Sequence, residues 1–142
     1  MIGFEIKKLF FDRQAVISKV DAATRRVLSK FGAFVRRSAK SSIRKRKRPA
    51  PPGQPPSSHT GLLKKFIFFG YDPARQSVVI GPVRLNQKGR GEAPPLLEYG
   101  GKATLVRRGK KKRTTYQARP YMGPAFEKEK PQLPAMWRGS IR

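Results

Sequence analysis

The side chains able to do acid–base chemistry in this 142-residue chain are few and scattered. There is one histidine, His59, and there are eight acidic residues and no cysteine. A general base or a nucleophile needs a positioned partner, and His59 has none nearby in the sequence. Glu127 and Glu129 alternate with lysines, while Glu92 and Glu98 flank a Pro-Pro pair. We therefore predict that the chain is not an enzyme. Since no metal-ligand spacing occurs, we also predict no metal and no cofactor.

Positive charge is the chemistry that this sequence does carry. Its 33 Lys and Arg residues against 8 Asp and Glu give a net charge of +25 at pH 7. Self-repulsion of this size destabilises a compact monomer and attracts the chain to polyanions or acidic partner surfaces. The sequence has no zinc-finger spacing, no aromatic RNA-binding motif and no helix-turn-helix pattern. We therefore expect contacts to phosphate that do not depend on base sequence.

The basic residues cluster in three places: the end of a predicted helix, a run before a proline-rich segment, and a predicted hairpin tip. We predict electrostatic contacts to DNA or to a partner at Arg36, Arg37, Lys40, Arg44, Lys45, Arg46, Lys47, Arg48, Arg107, Arg108, Lys110, Lys111, Lys112 and Arg113. A second interpretation remains open, in which the runs are solvated segments and the hairpin tip discourages edge-to-edge sheet pairing.

A long helix is predicted from Asp12, its N-cap, to about residue 42, a stretch with no proline and one glycine. Apolar residues recur along it at three- and four-residue steps. They are Val16, Ile17, Val20, Ala23, Val27, Leu28, Phe31, Phe34 and Val35. We favour packing of this stripe on the chain's own sheet, with a surface for neighbouring subunits as the alternative. Before the helix, Phe4 and Ile6 alternate with charged residues as in a short strand.

The remainder is predicted to be a stiff, extended proline-rich spacer at residues 49–60, followed by a small sheet. We predict one hairpin from strands at 62–69 and 76–83, a mobile loop at 85–95 and a short apolar turn at 96–101. A second hairpin is predicted from strands at 102–107 and 114–118, with the basic residues 108–113 at its tip.

A short helix is predicted at the end of the chain, over residues 125–130. Pro124 suits its first turn, while Pro131 and Pro134 are predicted to break any extension. Trp137 is predicted to be a core anchor, with a subunit interface as the second possibility.

Together these features predict a single α+β domain, with a long N-terminal helix packed on a small antiparallel sheet and a short C-terminal helix. Its parts are residues 1–48 (strand and basic helix), 49–60 (spacer) and 61–142 (sheet and last helix). No run of about 18 apolar residues predicts a membrane span. The first residues also lack the pattern of a signal peptide. We therefore predict no membrane partner and synthesis in the cytoplasm.

Three stretches resemble one known family. The first contains Ala50-Pro51 and Thr60-Gly61-Leu62-Leu63, the second is Leu97-Glu98-Tyr99-Gly100, and the third runs from Ala118 to Phe126 as ARPYMGPAF. In order and spacing they resemble the gene-product-ten-like family of tailed-phage neck and tail-completion proteins, over roughly residues 12 to 130. The family-motif positions, expected to be structural, are Thr60, Gly61, Leu62, Glu98, Gly100, Arg119, Pro120 and Pro124. The spacer is longer and richer in proline than in the family. The last helix contains two prolines at positions where the helix of the relatives continues uninterrupted.

The resemblance implies a structural virion protein at the head–tail junction, made in the cytoplasm of a bacterial host. It implies a homo-oligomeric ring around the DNA channel that binds other neck, portal-side or tail proteins and touches genomic DNA non-specifically. The alternative from another class is a sequence-independent nucleic-acid-binding protein, associated with the ribosome or the nucleoid. A nuclease-treated monomer that binds nucleic acid would favour the alternative.

Overall fold

The structure is a computed structural model that describes residues 12–83 and 93–141. Its α+β class, with a long N-terminal helix, antiparallel strand pairs and a short C-terminal helix, confirms the predicted fold class. The helices are α1 (Arg13–Ser42), α2 (Leu62–Lys65), α3 (Ala93–Tyr99), α4 (Met122–Glu129) and α5 (Leu133–Trp137), with a 3₁₀ turn at Lys130–Gln132. The strands are β1 (Arg44–Lys45), β2 (Ser57–Ser58), β3 (Ile67–Asp72), β4 (Ser77–Pro82), β5 (Gly101–Arg107) and β6 (Lys110–Tyr116).

Helix α1 begins where the sequence predicts, because Asp12 Oδ1 accepts a hydrogen bond from the Ala15 backbone N–H at 3.0 Å. From Ala23 onward its apolar stripe is buried against the β3–β4 hairpin and α4. This part confirms packing on the chain's own sheet. Earlier in the helix, Val16 and its neighbours remain exposed, with Val16 43% accessible. The strand predicted around Phe4 lies outside the described residues.

Three separate two-stranded sheets replace the one small sheet that was predicted. β1 and β2 pair in parallel, while β3–β4 and β5–β6 are antiparallel hairpins. The predicted strand at 62–69 is wrong in its first half, where residues 62–65 form α2. Gly61, at φ +77°, redirects the chain there, and the Lys65 N–H donates to the Gly61 carbonyl at 2.9 Å. β3 then continues through Gly70–Asp72, which were predicted to turn.

The proline-rich segment is not the extended spacer that was predicted. It turns back at Pro51–Gln54, where Gly53 has φ +79° and the Gln54 N–H donates to the Pro51 carbonyl at 3.3 Å. A glycine after Pro52 supplies the positive φ that this kind of turn requires. Ala50 and Pro56 are buried, so the segment packs on the body of the protein.

Helix α3 occupies residues predicted as the end of a loop and an apolar turn; residues 85–92 of that loop lie outside the described residues. Pro94 and Pro95 fall in the first turn of α3, where a missing N–H leaves no intrahelical bond unmade. α4 ends at Glu129, before Pro131, as predicted. Pro131 and Pro134 then lie in the first turns of the 3₁₀ turn and of α5, so the chain continues in new short helical elements. Pro124 lies in the first turn of α4 as predicted.

The core lies between α1, β3, α4 and the segment that leads into α4. Its buried members are Phe31, Val35, Ala39, Ile43, Ile67, Tyr121 and Ala125. Gly32 lets the β3–β4 hairpin approach α1 closely, because a Cβ there would lie 2.7 Å from Val78 Cγ2 and 3.0 Å from Phe69 Cδ2. Trp137 is 38% exposed, so its predicted place in the core is wrong. Its position at the end of α5 leaves the ring at the surface.

Candidate polyanion-binding surfaces

The three stretches on which the predicted family resemblance depends are joined by hydrogen bonds in one junction. Arg119 Nε donates to the Ala50 carbonyl at 2.7 Å, which ties the third stretch to the first. The Arg119 backbone N–H donates to the Leu97 carbonyl at 2.6 Å, which ties it to the second. The Gly53 N–H adds a bond of 2.8 Å to the Ala118 carbonyl. Sites up to 69 residues apart are therefore held together by backbone carbonyls and one guanidinium.

Glu98 caps the beginning of α4. Its Oε2 accepts from the backbone N–H groups of Tyr121 at 2.9 Å and Met122 at 3.0 Å, and its Oε1 accepts from Gly123 at 2.8 Å. A carboxylate is favoured there because the first N–H groups of a helix have no partner within it and carry partial positive charge. Burial, and then the nearby Glu98 carboxylate, raise the pKa of Tyr121 to about 12, so its phenol is neutral at physiological pH.

The other motif positions also shape the backbone. Gly100 has φ +73°, and a Cβ there would lie 2.9 Å from the Tyr116 carbonyl oxygen and 3.0 Å from the Ala118 nitrogen. Thr60 Oγ1 accepts from the Leu62 N–H at 3.4 Å, next to the left-handed Gly61. Leu62 is exposed, Pro120 is half-buried before α4, and Pro124 is exposed within its first turn.

The first predicted basic cluster lines a groove of about 470 Å³ on the last turns of α1. Arg36 is partly committed to the fold, since its Nε donates to the Ile67 carbonyl at 2.8 Å and its guanidinium lies 5.6 Å from the Phe68 ring centre. Arg37 is exposed and lies 5.0 Å from the Phe34 ring centre. Lys40 also lines the groove.

Lys64, which is not among the contact residues predicted from the sequence, belongs to this groove as well. Burial lowers the pKa of the Lys40 ammonium, and the like charges of Arg36 and Lys64 lower it further. The shift has the sign expected for a cation that like charges surround. Lys64 comes from α2, so only the turn at Gly61 brings it to α1.

The second cluster, residues 44–48, is exposed along its whole length. Its first two residues form β1, and Arg44 and Arg46 line a hollow of about 580 Å³ beside Lys128. The same hollow is lined by the hydroxyl-bearing residues Ser38, Ser41 and Ser42. Lys45 shares a neighbouring pocket with Lys64, which places the first and second clusters side by side.

The third cluster is a hairpin arm, defined as β5–β6 with its connecting turn (residues 101–116). Its turn is shorter than predicted, because only Arg108 and Gly109, at φ +50° and +75°, connect the strands. Two positive φ values give the turn that matches the twist of a hairpin. Lys110, Lys111, Lys112 and Arg113 therefore lie in strand β6, not at the tip. Lys102 in β5 is a further cation that the prediction left out.

Three of the six carboxylates in the described residues hold elements of the fold in place. Asp12 caps α1, Glu98 caps α4, and Glu129 accepts from the Ser38 hydroxyl and from Gln132 Nε2 at 2.9 Å. Within 12–83 and 93–141, the ion pairs are Arg75–Asp72 at 4.0 Å and Lys130–Glu127 at 3.8 Å. Neither pair includes a predicted contact residue. Within the described residues, the cations of the three basic clusters are therefore not neutralised by ion pairs, although Arg36 also donates to the Ile67 carbonyl.

Comparisons of the chain with protein-family models, with curated proteins and with solved structures found no match. Among the residues that the structure describes, no three His, Cys, Asp or Glu side chains are grouped so as to hold a metal ion. No helix in the described ranges is both long enough and apolar enough to cross a membrane.

Proposed function

We propose that this chain is a structural virion protein of a tailed double-stranded DNA phage, a neck or tail-completion component of the head–tail junction. It forms a homo-oligomeric ring around the DNA channel and binds other neck, portal-side or tail proteins. The observation that carries the proposal is the junction of the three resembling stretches. Arg119 and Glu98 join all three stretches through hydrogen bonds, as expected if the stretches belong to one structural unit.

Exposed apolar surface supports the oligomeric part of the proposal. Val16, Ile17 and Val20 continue the buried stripe of α1 and are about two-fifths exposed, at 43%, 40% and 38%. On the outer face of the β3–β4 hairpin, Phe68 and Val79 are exposed as well. Apolar surface in two places is best covered by neighbouring copies in a ring, where each subunit presents one surface to each neighbour.

The charge supports a place around DNA. Packing many copies of a +25 chain in a ring is unfavourable unless a polyanion offsets their repulsion. Duplex DNA supplies one phosphate charge per about 1.7 Å of axis. Lysines and arginines without base contacts hold a duplex by charge alone and leave it free to slide.

The test is the oligomeric state of the nuclease-treated protein in about 0.5 M ammonium acetate, where salt screens the repulsion between subunits in place of DNA. It is measured by native mass spectrometry and electron microscopy. We expect rings for the unchanged protein and for Ser18→Asp, which adds one negative charge on the polar side of α1. Val20→Asp adds the same charge to the exposed apolar side and should leave monomers. A monomer at all concentrations, or rings indifferent to Val20→Asp, would contradict the assembly surface proposed here.

The alternative is a sequence-independent nucleic-acid-binding module that works without a ring. The basic hairpin arm favours it, since that arm needs no partner subunit in order to meet a polyanion. A nuclease-treated monomer that binds duplex DNA tightly, and that does not assemble with portal or tail proteins, would support this alternative over the neck protein.

A further inference from the structure

The cations of the hairpin arm are divided evenly between its two faces. Side chains alternate across a strand, and directly paired residues of an antiparallel hairpin share a face. The register pairs Arg107 with Lys110 and Leu105 with Lys112 on one face. It pairs Val106 with Lys111 and Thr104 with Arg113 on the other. The first face therefore carries the three cations Arg107, Lys110 and Lys112. The second carries Lys102, Lys111 and Arg113, and Arg108 stands at the tip.

Neither face of the outer arm is covered by the rest of the described protein. Every residue from Thr104 through Arg113 is exposed. Leu105, on the first face, is 47% exposed, and Val106, on the second, is 65% exposed. Residues 101–116 include seven basic residues and no acidic one. The arm is therefore a ribbon that is cationic on both sides.

The dimensions of the arm match a groove of duplex DNA. Each strand has seven residues, which at about 3.3 Å per residue gives an arm of about 23 Å. Packed sheets lie about 10 Å apart, so a single ribbon with side chains on both faces is about 10 Å thick. The major groove is about 12 Å wide and about 8.5 Å deep, with a phosphate backbone along each wall.

We propose that the hairpin arm enters the major groove of duplex DNA edge-on, so that its two faces meet the phosphates of the two groove walls. An acidic protein surface would engage one face and leave the three cations of the other in water. A groove flanked by two anionic walls engages both. That the arm meets the duplex in the channel rests on the proposed function. How the arm holds the duplex is inferred from the arm alone.

The test compares two triple variants of the full-length protein. Arg107→Gln/Lys110→Gln/Lys112→Gln neutralises one face, and Lys102→Gln/Lys111→Gln/Arg113→Gln neutralises the other. Lys19→Gln/Arg25→Gln/Arg26→Gln is the control, since it removes the same charge from exposed positions of α1 that lie outside the three basic clusters. Binding to a labelled duplex of random sequence is measured by fluorescence anisotropy over a series of salt concentrations.

We expect both face variants to weaken duplex binding by the same factor, at least tenfold at low salt. Each neutralised phosphate contact should lower the slope of log affinity against log salt by about 0.9, so each triple should lower it by about 2.7. The control triple should change both quantities clearly less. An effect confined to one face would overturn edge-on insertion. An equal effect of the control triple would show that binding depends only on net charge, which would also overturn the proposal.

Competition identifies the partner and the groove. A major-groove ligand should displace the protein from the duplex, whereas a minor-groove ligand should not. Polyglutamate should compete weakly; if it binds as tightly as the duplex, the arm fits an acidic protein and the proposal is wrong. The urea midpoints of both face variants should not fall, because the arm lies outside the core and the loss of three like charges relieves repulsion.

The outcome also separates this inference from the proposed ring. Rings that bind duplex without any contribution from the arm would leave the neck function standing and overturn the inference. A monomer whose duplex binding depends equally on both faces of the arm would support the inference and overturn the proposed neck function.

Discussion

At the scale of single residues, this protein uses its scarce carboxylates to hold its backbone. The clearest example is Glu98, whose two oxygens accept from three consecutive N–H groups at the beginning of α4. The same helix follows Arg119, which holds the Ala50 carbonyl. In a chain with eight acidic residues, a carboxylate placed this way is unavailable to neutralise the basic clusters.

Glu98→Ala should lower the free energy of unfolding by about 2 kcal/mol, since it leaves three helix N–H groups without their acceptor. Glu98→Gln should cost less, because an amide oxygen still accepts one of the bonds. The measurement is urea denaturation followed by circular dichroism. Glu127→Ala is the control: this carboxylate is exposed and lies 3.8 Å from Lys130, so its loss should change stability by less than about 0.5 kcal/mol. Equal effects of the two alanine variants would mean that the cap contributes nothing.

At the scale of elements, the contact between α1 and the β3–β4 hairpin decides how the core closes. It passes over Gly32, where a Cβ would lie 2.7 Å from Val78 Cγ2. Glycine is intrinsically poor in the middle of a helix, by about 1 kcal/mol relative to alanine. Its position in α1 is explained by the close approach of the strand, which a methyl group would obstruct.

Gly32→Ala should therefore destabilise the protein by about 1 kcal/mol despite the better helix propensity, because Val78 and Phe69 must move. Val78→Ala alone should also destabilise, through lost packing. In the double variant, the smaller side chain at position 78 leaves space for the new methyl group at position 32. The destabilisation of the double variant should therefore be about 1 kcal/mol smaller than the sum of the two single effects. Urea midpoints of the four proteins complete the cycle. Simple additivity, or stabilisation by Gly32→Ala, would show that the close approach does not constrain the helix.

At the scale of the whole molecule, charge repulsion opposes folding, since the net charge is +25. Within the described residues, no ion pair offsets the three basic clusters. Repulsion between exposed charges is screened over about 10 Å at an ionic strength of 0.1 M. A fold held by a small core, seven buried residues in its main cluster, is therefore sensitive to the ionic strength around it.

Stability should rise with sodium chloride, by about 1 to 2 kcal/mol between low salt and about 0.5 M, because screening relieves repulsion in the compact state more than in the unfolded chain. Urea is the suitable denaturant, since it carries no charge and leaves ionic strength unchanged. The Lys45→Gln/Arg46→Gln/Lys47→Gln variant should show a shallower dependence on salt. Stability that falls with salt would indicate that attractive pairs dominate the folded protein.

The sequence by itself determined the long helix, its Asp12 cap, its basic character, the two antiparallel hairpins and the α+β class. These depend on local rules: a carboxylate accepts from free N–H groups, apolar residues repeat at helical spacing, and strands alternate around turns. Most of the candidate basic contact residues could also be picked out from the sequence, because a run of charged residues is recognisable without knowledge of the fold. The predicted spacer and the first half of the predicted strand at 62–69 were wrong because a glycine with positive φ, Gly53 or Gly61, changes the direction of the chain there.

Only the tertiary structure decided which distant groups meet. It folded the proline-rich segment back onto Ala118, brought Lys64 beside Lys40, and set Glu98 at the beginning of α4. It also placed the basic residues after Arg108 on two faces of an exposed ribbon, where the sequence had suggested one tip. The physical reason is that contacts between remote residues depend on turn geometry and strand register, which adjacent side chains do not specify.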